Sequence, residues 1–108
     1  MSSNPALFLL PESEKYDGSN WMEFKTTILS AARAHGLLPY LLGTLTRPSD
    51  TILPRPSTGW WGSLNPSQEE WDQRDAYTQG MVTLNVKNPI GLGVATDGTA
   101  ATTWKSLT

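Results

Sequence analysis

The chain has 108 residues and a mass of 11.8 kDa, the size of one domain, which excludes separate catalytic and substrate domains. Eight Lys and Arg against ten Asp and Glu give a net charge of -2 and a pI near 5.2, so the positive field that non-specific phosphate binding requires is missing. With no cysteine and one histidine, disulfides, thiolate nucleophiles and cysteine-ligated zinc are excluded, and a transition-metal site would rest on carboxylates.

The amino-terminal segment 1–15 reads as extended. Its apolar run, Ala6 to Leu10, is too short to cross a membrane or to form a signal-peptide core, and no basic segment precedes it. A helical domain is expected over 16–108. Tyr16-Asp17-Gly18-Ser19 is turn-forming, Asn20 is an expected N-cap, and Glu23 three residues on completes a capping box. The first helix is predicted from Trp21 to about His35, with Gly36 closing it in the left-handed conformation. Trp21, Phe24, Ile28, Leu29, Ala31 and Ala32 form its apolar stripe, and Glu23, Thr26, Thr27, Ser30 and Arg33 its wet face. Leu37 to Gly43 is too apolar for an exposed loop and predicts a short helix with Pro39 in its first turn.

Between residues 44 and 65 the density of Pro and Gly forbids a long regular element, so a long loop is expected, carrying Trp60-Trp61. Those adjacent indoles either fold inward or anchor a partner. Asn65 as cap, Pro66 at the first helical position and Gln68 at the third predict a second long helix, extending to Val86 or Lys87 before Asn88-Pro89 stops it. Its expected inward side is Trp71, Tyr77, Met81 and Leu84, and the acidic residues Glu69, Glu70, Asp72 and Asp75 are expected on a solvated face. Ile90 to Ala95 predicts a short, imperfect helix. Thr99 caps a last one, starting at Ala100, whose Ala101, Trp104 and Leu107 share a face.

The reading is therefore all-α: a bundle of four to five helices around Trp21, Phe24, Ile28, Trp71, Met81, Leu84 and Trp104, with a Pro-rich loop. No catalytic constellation emerges. His35 fits the last turn of a helix, where its ring favours the exposed carbonyls, and the glycines at 91, 93 and 98 match neither nucleotide-binding pattern. No cofactor and no metal are expected.

Tyr16-Asp17-Gly18-Ser19-Asn20-Trp21 followed by Phe24, then Gly36-Leu37 to Leu41 and Gly43, Trp71 with Asp75-Ala76, and Thr99-Ala100 with Trp104-Lys105 and Leu107, resembles the amino-terminal capsid region of the Gag polyprotein of Ty1/copia-type LTR retrotransposons. In that family an aromatic-x-Gly-x-Asn-Tyr/Trp-x-x-Trp motif opens the first capsid helix, and a Thr-Ala-x-x-x-Trp-x-x-Leu motif closes the amino-terminal part. Phe24 stands where the family usually has Trp.

The resemblance implies a structural, non-enzymatic capsid domain that self-assembles into virus-like particles in the cytoplasm, with Tyr16, Gly18, Asn20, Trp21, Phe24, Trp71, Asp75, Met81, Leu84, Trp104 and Leu107 as core or motif residues. Its expected partner is another copy, through weak capsid contacts. RNA would be held only by parts of Gag not among these 108 residues, which contain no zinc knuckle and stop within the last helix, as a fragment would. No membrane is involved. The alternative implied function is a domesticated, Gag-derived lobe that binds a short apolar peptide, a groove for which the segment around Phe8 and Leu10 is itself a suitable occupant. Phe8, Leu10, Trp60 and Trp61 are the expected partner contacts.

Overall fold

The computed structural model describes residues 8–48, 66–95 and 98–107. They form an all-α bundle of four helices: α1 Trp21–Ala34, α2 Leu38–Leu42, α3 Gln68–Thr83 and α4 Ala100–Leu107. A short 3-10 turn at Glu12–Glu14 precedes α1. Among the described residues no strand occurs, and one isolated parallel bridge joins Tyr16 to Val86. The Trp60-Trp61 pair lies outside the described residues.

Helix α1 ends as its sequence dictates. His35 is the C-cap and Gly36 takes φ 72°, while Phe24, Ile28 and Ala32 face the core with Trp21, Leu29 and Ala31 packed beside them. The start differs from expectation. Asn20 occupies the cap position without capping, because its carboxamide is spent on the preceding turn: Oδ1 accepts from Asp17 N–H at 3.1 Å and Nδ2 donates to Lys15 O at 3.1 Å. Helix α2 carries Pro39 in its first turn and stops at Gly43, φ 76°, where a Cβ would stand 3.0 Å from Ala101 Cβ. The left-handed conformation and the approach of α4 both call for glycine there.

The capping box expected at α1 forms instead at α3, at Ser67, two residues beyond the expected cap Asn65, which lies outside the described residues. Ser67 Oγ accepts from Glu70 N–H at 3.1 Å and Glu70 Oε1 accepts from Ser67 N–H at 2.8 Å. Helix α3 packs on α4, α2 and α1 and so forms the centre of the bundle. It stops at Thr83, short of the expected Val86, and its inward stripe is partly polar: Glu70, Arg74, Asp75 and Thr78 are buried along with Trp71, Met81 and Val82. Two expectations fail here. Glu70 and Asp75 are not on a solvated face, and Leu84 is 50% exposed. At about 100° per residue, the stripe through 71, 74, 75, 78, 81 and 82 returns to the core at 85, so Asn85 takes the inward position and Leu84 turns to water.

Residues 89–93 form successive turns, not the expected short helix. Leu92 N–H donates to Asn88 O and Val94 N–H to Pro89 O, after which Gly93 at φ 74° breaks the run. In α4 the expected Thr99 cap forms, with Thr102 N–H donating to Thr99 Oγ1 at 3.2 Å. The buried positions are Ala100, Thr103 and Trp104; Ala101 and Leu107 are half-buried.

Trp71 fastens the centre of this arrangement. Its ring is 5.7 Å from that of Tyr40 and its Nε1–H donates to Leu45 O at 2.9 Å. Replacing Trp71 by Ala should lower stability by about 3–5 kcal/mol, measured by urea unfolding followed by circular dichroism. A near-neutral effect would contradict its burial.

Candidate functional site

The residues singled out in the sequence fall into three places. The first is an aromatic cluster. Tyr16 stacks on Phe24 at 5.2 Å with an interplanar angle of 22°, Trp21 meets Tyr16 edge-on at 5.6 Å, and Trp104 of α4 reaches Trp21 at 5.4 Å. Such pairs add about 0.5–1.5 kcal/mol beyond the apolar area they bury. The turn before α1 sets this geometry. Asp17 Oδ1 accepts from Ser19 N–H and Oγ at 2.9 and 2.7 Å, hydrogen bonds that hold the Asp17 carboxyl below its usual range. Gly18 takes φ 98°, with the Leu92 side chain 3.3 Å from where a Cβ would be. Asn20 completes the turn as described above. Met81 is buried in the core, and Leu107 packs against it from the end of α4. Leu84 belongs to none of these groups.

The second place is the seat of the amino-terminal strip. Phe8 and Leu10 are half-buried against the core, and Leu9 between them is exposed, the alternation of an extended segment. Asn85, fully buried, grips it through the backbone: Oδ1 accepts from Leu10 N–H at 2.7 Å, and Nδ2 donates to Phe8 O at 2.9 Å and to Met81 O at 2.6 Å. Six residues beyond Leu10, Tyr16 N–H donates to Asn85 O and Lys87 N–H to Tyr16 O, each at 2.9 Å. Phe8 and Leu10 are therefore not the free contact surface expected from their sequence; their own domain holds them. Asn85 was missed because a single polar residue past a helix end carries no periodic signal.

The third place lies where α2, α3 and α4 meet. A cleft of about 290 Å³ is lined by Tyr40, Gly43, Leu45, Trp71, Asp75 and Ala101, among others, with Arg47 and Thr99 also lining it. Asp75 Oδ1 accepts from the buried Ala100 N–H at 3.0 Å, so a carboxylate of α3 caps α4. Burial pushes the Asp75 carboxyl up from its usual range, with nearby Asp72 adding to the shift and the Ala100 hydrogen bond opposing it. The Tyr40 hydroxyl is buried beside the Arg74 guanidinium, and desolvation raises its pKa against the opposing influence of Arg74. Arg74 itself pairs with Glu70 at 3.5 Å, and Arg47 forms a bidentate pair with Asp72 at 2.8 and 3.1 Å.

Nothing in this set is arranged as nucleophile and base. His35, the one imidazole, packs edge-on against Tyr77 at 5.9 Å. Among the described residues no group of three His, Asp or Glu is placed to hold a metal ion, and no helix is long and apolar enough to cross a membrane. Comparison with protein-family models, curated proteins and solved structures finds no match to this chain.

Two outcomes follow from Asn85 and Asp75. Asn85→Ala orphans the Leu10 N–H and the Phe8 and Met81 carbonyls, and should cost about 2–3 kcal/mol in urea unfolding. The same substitution should make the amino-terminal strip the first part of the chain cut by protease. For Asp75, a native pKa above the unfolded one means the folded chain retains this proton to higher pH. This group's stabilising contribution is then full in acid and is lost as pH rises through the raised native value. Asp75→Asn keeps an oxygen for Ala100 N–H and removes the buried charge, so its stability should equal or exceed that of the parent at pH 7. Asp75→Ala should fall about 1–3 kcal/mol below it. Urea unfolding of the three proteins at pH 4 and pH 7 checks the sign.

Proposed function

We propose that this chain is a structural, non-enzymatic capsid lobe of a Ty1/copia-type Gag, which contributes to the self-assembly of virus-like particles in the cytoplasm. The observation that supports the reading is the aromatic cluster. Tyr16, Trp21 and Phe24 of the opening motif and Trp104 of the closing motif lie at opposite ends of the domain's sequence and pack together in one group. Motif residues that determine a fold behave in this way, whereas residues of a reaction centre would converge on a polar cleft. In this reading copies of the lobe associate through exposed faces, and RNA is held by other parts of the polyprotein. The described surface offers apolar side chains for weak contacts: Ile90 is 88% exposed, Met22 67% and Leu42 52%.

A second reading, a Gag-derived adaptor that binds a short apolar peptide, is favoured by the Asn85 seat. Backbone hydrogen bonds from a buried carboxamide, with alternate side chains entering the core, are a means of holding any extended peptide. In this chain the seat is filled in cis by residues 8–10.

Capsid contacts that correct themselves during assembly need interfaces near or below about 1,200 Å². Sedimentation velocity over a wide concentration range should therefore show a monomer at micromolar protein and reversible, concentration-dependent growth toward millimolar protein. A mass that stays at 11.8 kDa throughout would count against the assembly reading.

A further inference from the structure

We propose that residues 8–10 are exchanged between two copies of this chain, the strip of each copy docking on the Asn85 seat of the other. The seat holds the strip by contacts that any copy reproduces. The Asn85 carboxamide pairs with Phe8 O and Leu10 N–H, and the Phe8 and Leu10 side chains pack against the core. The Phe8 backbone also hydrogen-bonds the Tyr77 hydroxyl of α3. A strip from a second copy makes every one of these contacts, so the exchanged pair differs from the closed chain chiefly in its hinge and in the entropy of joining two molecules.

The hinge resists opening weakly. On the strip side Leu10 is fixed by Asn85 Oδ1; on the body side Lys15 O accepts from Asn20 Nδ2 and Tyr16 N–H donates to Asn85 O. Between these anchors Pro11 to Glu14 are exposed, and the turn at Glu12–Glu14 buries nothing. A cleft of about 250 Å³ lies between that turn and the start of α1, lined by Ser13 and Glu14 on one side and by Asn20, Glu23 and Thr27 on the other. The turn is held by a hydrogen bond from Glu14 N–H to Pro11 O at 2.9 Å, a longer one of 3.4 Å from Lys15 N–H to Glu12 O, and a Lys15–Glu12 ion pair at 3.3 Å whose carboxylate faces water. An ion pair so placed contributes little.

Two features favour a second copy as the occupant over an unrelated peptide. Docking of the first strip tethers the two bodies, so the second docks as an intramolecular event. The six steps from Leu10 to Tyr16 also reach only roughly 20 Å when extended, which brings the bodies together beside their seats. Leu9 and Leu84, 58% and 50% exposed, adjoin the seat in sequence on strip and body and are then available to be covered.

This exchange rests on the reading of the chain as a self-assembling lobe and names a contact for it. Sedimentation velocity of two sets of full-length variants tests it, each checked for helical circular dichroism. Deleting residues 12–14 leaves too little chain for Leu10 and Tyr16 to meet at one Asn85, and should give a dimer at micromolar protein with a Kd at least tenfold below that of the parent; adding Asn85→Ala should return it to monomer. In the second set, Asn85→Ala keeps the strip and lacks the seat, whereas Phe8→Ser with Leu10→Ser keeps the seat and lacks the strip. Each should be monomeric alone, and an equimolar mixture should form a 1:1 pair. Should the deletion unfold the chain, the mixture decides.

A folded, shortened chain that stays monomeric, a dimer that survives Asn85→Ala, or a mixture that forms no pair would overturn the exchange. Growth of the parent toward millimolar protein without a pair in the mixture would leave the assembly reading standing and remove the exchange. Pairing in the mixture, with a parent that never grows beyond a dimer, would keep the exchange and count against assembly into shells.

Discussion

Arg74 sits in the middle of α3 with 2% of its surface exposed, and a guanidinium in that position has to be answered from inside the protein. Glu70, one turn earlier, faces it with one carboxylate oxygen and closes the Ser67 capping box with the other. The carboxylate therefore joins the start of α3 to its buried centre. Tyr40 of α2 lies against the same guanidinium, and Asp75, the next residue of α3, reaches over to cap α4. A buried ion pair of this kind contributes little net stability, because desolvation offsets most of the attraction, but it penalises every arrangement that separates its partners. Helix α3 thus holds its neighbours through directional contacts as well as through Trp71, Met81 and Val82.

That partly polar interior explains what could be read from the sequence and what could not. Helix α1 was legible because its stripe is apolar and spaced at the helical period; Gly36 and Gly43 were legible as stops because positive φ has few other candidates. Thr99 was legible as a cap for the same local reason. In α3 the apolar pattern is interrupted by Glu70, Arg74, Asp75 and Thr78, residues that hydropathy assigns to water, and their partners are set by tertiary packing. Hydropathy therefore assigns the acidic residues to the outside and Leu84 to the inside. Capping went astray where two acceptable candidates competed: Asn20 binds the turn behind it, whereas Ser67, one step from two other plausible signals, binds ahead. Of the candidate sites, the aromatic motif was visible in the sequence, while the cleft depends on three helices meeting and left no trace in it.

The domain shows one mode of contact with extended chain. At the end of α3, Asn85 presents a neutral donor and acceptor to backbone, a mode indifferent to side-chain charge. A lobe that builds shells and a lobe that binds peptides draw on the same physics, since each seats short segments of another chain on a small helical body.

The separation of Leu10 from Asn85 carries a consequence for how the protein is made. The two residues are 75 positions apart, so on a ribosome the strip emerges long before the carboxamide that will hold it. At about 5–20 residues per second the interval is roughly 4–15 s, during which the apolar side chains of Phe8 and Leu10 have no seat. The strip is then open to chaperones and to neighbouring nascent chains on the same message, and docking it is among the last long-range closures available to the fold.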